Sequence, residues 1–252
     1  ENLKTVAKSK NLNLKELMKM NSLKTPYTEI GKKLVIRKYT IPGNKFDGII
    51  INIPEEKLYY FYKGELNEAY VVSVGRPGKW QTPVGDYTLS YKDKAPVWKV
   101  PLSIQKEMAA KGHIVKTEVK AGPNNPLGNW WMGLSKNGIG IHSTNAPASI
   151  GYSITHGCVR MTPKSAAELF NKVKVNIPVR IIYQPIKINT DENKNVYLEV
   201  FKDRYRRNIA SISTIKTLLK KYNIDQKTID MKKVEKVVKL KDGNPTIISK
   251  KS

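Results

Sequence analysis

Ile49-Ile50-Ile51-Asn52-Ile53, broken by Pro54-Glu55-Glu56, runs on into Leu58-Tyr59-Tyr60-Phe61-Tyr62, then Lys63-Gly64, then Ala69-Tyr70-Val71-Val72-Ser73-Val74. Three runs of β-branched and aromatic residues, each closed by Pro or Gly turn chemistry, predict an antiparallel meander. Further strands are expected at Gly85–Tyr91, Gly138–His142 and Val179–Ile188. Two helices interrupt them, one over about Ile104–Lys111 and one from Thr162-Pro163, an N-cap and first-turn pair, to about Lys174. The class is a β-rich α+β fold.

Both flanks differ from this centre. In residues 1–37, Leu3, Val6 and Ala7 and then Leu14, Leu17 and Met18 recur at helical spacing, with Asn13 as a cap for the second helix. A turn-rich stretch containing Pro26 and Gly31 leads to a short strand, Leu34-Val35-Ile36. Beyond about Asn189, Ile209, Ile212, Ile215, Leu218, Leu219 and Tyr222 mark an amphipathic helix, and Asp230 caps a second carrying Val234, Val237 and Val238. Gly243-Asn244-Pro245 then leads into Thr246-Ile247-Ile248. The expected division is 1–43, a small N-terminal segment; 44–188, the main domain; and 189–252, an α-rich appendage.

The chain has 252 residues, 40% of them apolar, enough for a folded core, and no run reaches the roughly 18 apolar residues of a membrane helix. It opens Glu1-Asn2-Leu3-Lys4, with neither an initiator Met nor an apolar leader, as a trimmed or processed product does, so the missing export signal says nothing of location. The net charge of +24 is spread along the chain, and lysine far outnumbers arginine. A nucleic-acid reader concentrates its cations on one element, often with arginine at base-reading positions; no such element is present, and nucleic acid is not the expected partner. Two readings remain, attraction to an anionic polymer or surface and a merely solvated lysine-rich exterior.

Cys158 is the only cysteine and lies in Thr155-His156-Gly157-Cys158-Val159-Arg160, with His142 sixteen residues before it. One thiol forms no internal disulfide, and with His113, His142 and His156 it makes a poor zinc site, so neither a metal nor another cofactor is expected. A nucleophilic thiol needs a depressed pKa or a base at hand. In Gly138-Ile139-Gly140-Ile141-His142, alternation puts Gly140 and His142 on the face opposite the two isoleucines. His156 falls on the side of Cys158 if the segment is extended. Gly157 permits close approach of a substrate backbone, and the amides of Gly157 and Cys158 are candidates for an oxyanion hole. Chemistry alone leaves an inert buried thiol equally open.

His142-Ser143-Thr144, twelve residues from Ser143 to Ile154, then Thr155-His156-Gly157-Cys158-Val159-Arg160-Met161 resembles the active-site motif of the L,D-transpeptidase (YkuD-type) family. Gly75-Arg76-Pro77 with Thr82-Pro83-Val84-Gly85, and Pro123-Asn124-Asn125-Pro126-Leu127-Gly128, resemble flanking segments of that family in the same order. The N-terminal residues Leu3, Val6-Ala7, Leu12-Asn13-Leu14, Leu17, Asn21 and Ile30-Gly31-Lys32-Lys33-Leu34 resemble part of a LysM module lacking its first strand.

The resemblance implies a β-sandwich-like catalytic domain with short helices and a secreted, extracytoplasmic transferase of peptidoglycan biosynthesis, cell-wall organisation and cell shape. Cys158 would attack the third stem-peptide residue, release terminal D-Ala and form a 3→3 crosslink. It casts His142 as general acid/base, His156 as a supporting residue and Ser143 as an orienter of His142. Arg160, Thr155, Trp130 and Trp131 become substrate contacts, although each also has a structural reading: Arg160 as a salt bridge of the cysteine loop, Thr155 as a loop tie, the tryptophans (with Trp98) as core. Two rivals stand beside this reading. An L,D-carboxypeptidase would finish the same acyl-enzyme with water, and a non-catalytic wall-binding protein would carry a dormant site.

Overall fold

The computed structural model describes residues 2–9, 14, 17–18, 21, 23–29, 31–34, 46–136, 138–191 and 193–250. Two compact units divide the chain, residues 44–183 and residues 1–43 with 184–252. Near the N-terminus, helix α1 (Leu3–Ser9) supplies Leu3 to a small core in which Leu17 is also fully buried and Val6, Leu14, Met18, Leu23 and Leu34 pack around them. The helical spacing holds for Leu14, Leu17 and Met18. Leu34 itself is not in a strand, and Asn13, Val35 and Ile36 lie outside the described residues.

In the unit of residues 44–183 the isoleucine and tyrosine runs pair as expected. β1 (Gly48–Asn52), β2 (Lys57–Tyr62) and β3 (Glu65–Val71) form the antiparallel meander, with Ile50 opposite Tyr59 and Tyr59 opposite Ala69. β4 (Val74–Gly75) turns away toward β10 (Ser153–Thr155). β5 (Gly85–Lys94), β8 (Trp130–Leu134), β9 (Gly140–His142), β11 (Val159–Arg160) and β12 (Pro178–Ile182) complete an eight-stranded sheet of order β11-β9-β8-β5-β12-β1-β2-β3. β1 is sandwiched between parallel β12 and antiparallel β2, which explains why its five residues are all buried.

The sheet curls until its two ends meet. Ser73, just past β3, forms an antiparallel bridge with Arg160 of β11, each donating its N–H to the other's carbonyl at 2.8 and 2.9 Å. Closure of this kind satisfies edge groups that would otherwise invite another strand. Helix α2 (Leu102–Ala110) lies in the excursion between β5 and β8, with the short pair β6 (Trp98–Lys99) and β7 (Glu118–Val119). It starts two residues before the sequence expectation and buries no residue fully. Helix α3 (Pro163–Lys172) opens on the expected cap, with Thr162 Oγ1 accepting from Ser165 N, and buries Ala166 and Leu169.

The predicted strand Val179–Ile188 is two strands. Tyr183-Gln184-Pro185 separates β12 from β13 (Ile186–Thr190), which pairs with β14 (Val196–Val200) in the other unit. Proline ends the first strand because it cannot donate to the ladder. The tail is therefore not simply α-rich: a three-stranded sheet, β13-β14-β15 (Thr246–Ile247), stands beside helices α4 (Ile212–Lys221) and α5 (Met231–Leu240). Asp230 caps α5 as expected, accepting from Lys233 N at 3.2 Å, and Ile215, Leu219, Val234 and Val237 join Leu198 and Val200 in one core. Among the described residues no helix is long and apolar enough to cross a membrane.

Leu169 is the larger of the two fully buried residues of α3. Replacing it with Ala should lower unfolding stability by about 2–5 kcal/mol through lost transfer energy and a residual cavity. Urea melts would check this, and an unchanged midpoint would contradict the packing.

Candidate active site

The site is built on the parallel pairing of β11 with β9, in which Val159 faces Ile141 and Arg160 faces His142. Val159 and Ile141 are fully buried in the core. Strand alternation therefore sends Gly140, His142, Cys158 and Arg160 to the opposite face, with Cys158 beside Gly140 and diagonal to His142. On the other side of β9, Trp131 pairs with His142 and stacks on its ring, centroids 5.9 Å apart and planes 27° from parallel. A Cβ at Gly140 would meet the Trp131 ring at 2.6 Å, so only glycine lets that indole lie over the floor of the site.

His142 is 4% exposed, and its Nδ1–H donates to the Ser143 carbonyl at 2.6 Å, which leaves the Nε2 lone pair free to accept a proton. Burial, with the Arg160 charge adding to it, lowers its pKa to about 4. Burial likewise pushes the Cys158 thiol up to about 11, against the opposing pull of the Gly140 N–H and Arg160. The thiol donates to the Gly138 carbonyl at 3.4 Å. Of the two routes to a nucleophilic thiol, a depressed pKa is absent; a neutral thiol beside a neutral imidazole leaves the base.

The loop before β11 is held by two hydroxyls. Thr155 is buried, donates to the Cys158 carbonyl at 2.6 Å and accepts from Gly157 N at 3.2 Å. Thr82, fully buried, donates to the Gly157 carbonyl at 2.8 Å and accepts from Gly75 N at 2.7 Å. Gly157 has φ +114°, a conformation that favours glycine. These bonds correct two expectations. Thr155 is a loop tie and not a substrate contact, because its hydroxyl is enclosed and used. The Gly157 N–H is spent on Thr155, so it is not a free oxyanion donor, whereas among the described residues no protein group takes the N–H of Cys158.

Three further expectations are refined or changed. Trp130 alternates to the face opposite Trp131 and packs on Phe170 of α3, centroids 4.9 Å apart, away from the cysteine. Ser143 orients His142 through its carbonyl, since its hydroxyl donates to Leu127 O at 3.1 Å and accepts from Asn129 N at 3.0 Å. Arg160 donates from Nη1 to Ser149 Oγ at 3.0 Å, and its buried Nε has no partner; no described carboxylate pairs with it, so the salt-bridge reading falls. His113 is exposed.

His156 sits in a cluster that the motif did not announce. Its Nε2 lies 3.0 Å from Glu107 Oε2 and 3.3 Å from Arg76 Nη2, and its ring meets Trp80 edge-on at 4.6 Å. Arg76 also donates to both oxygens of Glu107, at 2.7 and 2.6 Å. Glu107 belongs to α2, remote in sequence, and nothing in its lysine-rich surroundings marks it.

The catalytic-domain profile of the L,D-transpeptidase (YkuD) family matches residues 47–181, the span that holds every residue of this site. The chain belongs to the L,D-transpeptidase family. It is 36% identical over 163 residues to the Escherichia coli K12 protein named Probable L,D-transpeptidase YbiS, covering 64% of this chain and 52% of that one. Identity to Probable L,D-transpeptidase ErfK/SrfK of Salmonella typhimurium is 29% over 228 residues, 87% of this chain and 73% of the relative. For Probable L,D-transpeptidase YcfS of E. coli it is 32% over 204 residues, 79% and 64%. The chain thus spans about half the length of YbiS.

Within this L,D-transpeptidase domain the resting thiol should behave as an unactivated one. Iodoacetamide alkylation of Cys158 should be slow at neutral pH and climb toward pH about 11, while His142 stays neutral down to pH about 4. A rate that already plateaus below pH 8 would show a preformed thiolate and contradict the neutral pair.

Proposed function

We propose that this domain is a peptidoglycan L,D-transpeptidase in which Cys158 is the nucleophile and His142 the general acid/base. The reading is carried by one observation, the shared face of Cys158, His142 and Arg160 on paired β9 and β11. Sγ attacks the carbonyl of the third stem residue while Nε2 of His142 takes the thiol proton. The carbon–nitrogen bond then breaks, His142 passes the proton to the departing D-Ala amine, and a thioester remains. A side-chain amine of a second stem attacks the thioester. It gives up its proton through His142, which returns it to the sulfur as the 3→3 amide forms. The Cys158 N–H is the amide left to steady the oxyanion, worth roughly 3–4 kcal/mol if well aimed.

Arg160, half-buried without a carboxylate, suits a carboxylate of the stem peptide. Trp131 forms a wall of the cleft and His156 supports it. The substrate places the protein outside the cytoplasm, at the cell wall. The LysM-like segment and the charge of +24 support adhesion to glycan or to anionic wall polymers. Retention on isolated sacculi should then fall as salt rises from 50 to about 500 mM; retention independent of salt would make the charge incidental.

Incubation of the protein with tetrapeptide muropeptides, read by mass spectrometry, tests the chemistry. Wild type should release D-Ala and yield a crosslinked dimer, Cys158→Ala should yield none, and His142→Asn should be slower by roughly 10²–10⁴-fold. Dimer formation undiminished in Cys158→Ala would overturn the reading. Tripeptide without dimer at high amine concentration would identify the carboxypeptidase instead.

A further inference from the structure

Helix α2 stands on the surface with no fully buried residue. Among the described residues its side chains form hydrogen bonds in three places. Gln105 bonds locally to Val100 O at 2.8 Å, Glu107 takes Lys111 Nζ at 2.7 Å one turn on, and Glu107 alone reaches across to Arg76 and His156. That carboxylate is ionised at neutral pH, since the hydrogen bonds from Arg76, first, and from Lys111 hold its pKa down to about 2. His156 lies below the ordinary imidazole value, chiefly through burial, with Glu107 pulling the other way and Arg76 and Arg160 adding to the depression. Of the two groups at Nε2 of this neutral ring, the carboxylate is nearer, at 3.0 Å against 3.3 Å for Arg76 Nη2, and only accepts, so it favours the hydrogen on Nε2 over the lone pair that the guanidinium donor would favour. Nδ1 is then an acceptor, and no described protein group bonds it.

We infer that Glu107 is a positioning residue: its carboxylate fixes His156 as the Nε2–H tautomer and turns the Nδ1 lone pair into an acceptor for an N–H of the bound peptide or of the incoming amine. The use made of Nδ1 rests on the transpeptidase reading; the tautomer does not. The two histidines then stand in opposite tautomers, His142 protonated on Nδ1 by the Ser143 carbonyl and His156 on Nε2 by Glu107. The same carboxylate ties α2 to Arg76, next to Gly75, which is itself bonded to Thr82.

Long-range ¹H–¹⁵N spectra of histidine-labelled protein at pH 7.5 test this without substrate. Wild type should show His156 as the Nε2–H tautomer. Glu107→Gln keeps an acceptor oxygen and should retain it, whereas Glu107→Ala should give a tautomer mixture. With muropeptides, Glu107→Ala should lower kcat by about tenfold or more, the scale on which loss of a histidine's hydrogen-bond partner is felt, with Glu107→Gln between it and wild type. Thermal melts of both variants exclude unfolding as the cause; should Glu107→Ala not fold, Glu107→Leu, which fills the space but offers no acceptor, gives the same comparison against Glu107→Gln. A tautomer unchanged in Glu107→Ala, or a wild-type Nδ1–H tautomer, overturns the inference. Because the spectrum is independent of turnover, it still decides if muropeptides prove not to be substrates.

Discussion

Two residue pairs of parallel strand, Val159 on Ile141 and Arg160 on His142, hold the catalytic geometry, and the rest of the domain secures that register. A slip of one residue would turn Cys158 into the core and Val159 out of it. The burial of Val159 penalises such a slip by the full loss of that apolar side chain, roughly 1.5–3 kcal/mol. Three further ties act on the same short strand: the Ser73–Arg160 bridge that closes the sheet, the Met161 N–H to the His142 carbonyl at 2.8 Å, and Thr82 on Gly157. A two-residue strand is weak alone. Bonded on both edges, it becomes a fixed platform for a sulfur.

The electrostatics of the platform follow from that burial. Enclosing His142 and Cys158 disfavours the charged form of each, so the imidazole shifts down and the thiol up, and the resting pair is neutral. Arg160 does not undo this. It lowers the thiol pKa and the imidazole pKa alike, so it disfavours the imidazolium while favouring the thiolate. What an unpaired guanidinium can do is draw an anion into the cleft, and a bound carboxylate would cancel its depression of His142. Substrate binding would then make the base stronger at the moment it is needed.

Much of this was legible in the sequence, and the limits have physical causes. The meander of Ile49–Val74 was readable because β1 and β2 are buried on nearly every residue and the runs are punctuated by turn chemistry, although β3 buries only Tyr70. The caps at Thr162 and Asp230 were readable because a cap is local. The split at Pro185 is hidden because apolar residues continue through it; β13 and β14 do alternate as strands should, but each is only five residues long beside the stronger helical periodicity of the tail. At the site, the facing of Gly140 and His142 was legible from alternation over one short strand, whereas Cys158 stood out through the motif around it. The same rule sends the half-buried Trp130 and Trp131 to opposite faces, Trp130 onto Phe170 and Trp131 onto His142. Thr155 and Gly157 were misjudged because motif letters do not reveal whether a hydroxyl or an amide is already spent. Glu107 was invisible because it reaches His156 over 49 residues of chain.

The uneven construction bears on how an amine rather than water could finish the reaction. The floor under Cys158 is bonded on both sides, whereas the excursion over residues 95–129 has a surface helix whose long-range side-chain hydrogen bonds, among the described residues, all come from Glu107. Asn125 anchors the base of this excursion, its side chain donating to Pro96 O at 2.8 Å and accepting from Leu127 N at 2.9 Å while fully buried. Attack on the first carbonyl needs only the floor. Choice of the second nucleophile needs water excluded and an amine aimed, and those demands fall on the wall. On the proposed transpeptidase reading, a floor and a separately anchored wall would let acceptor selection vary through residues of α2 and Arg76 while Cys158 and His142 keep their register.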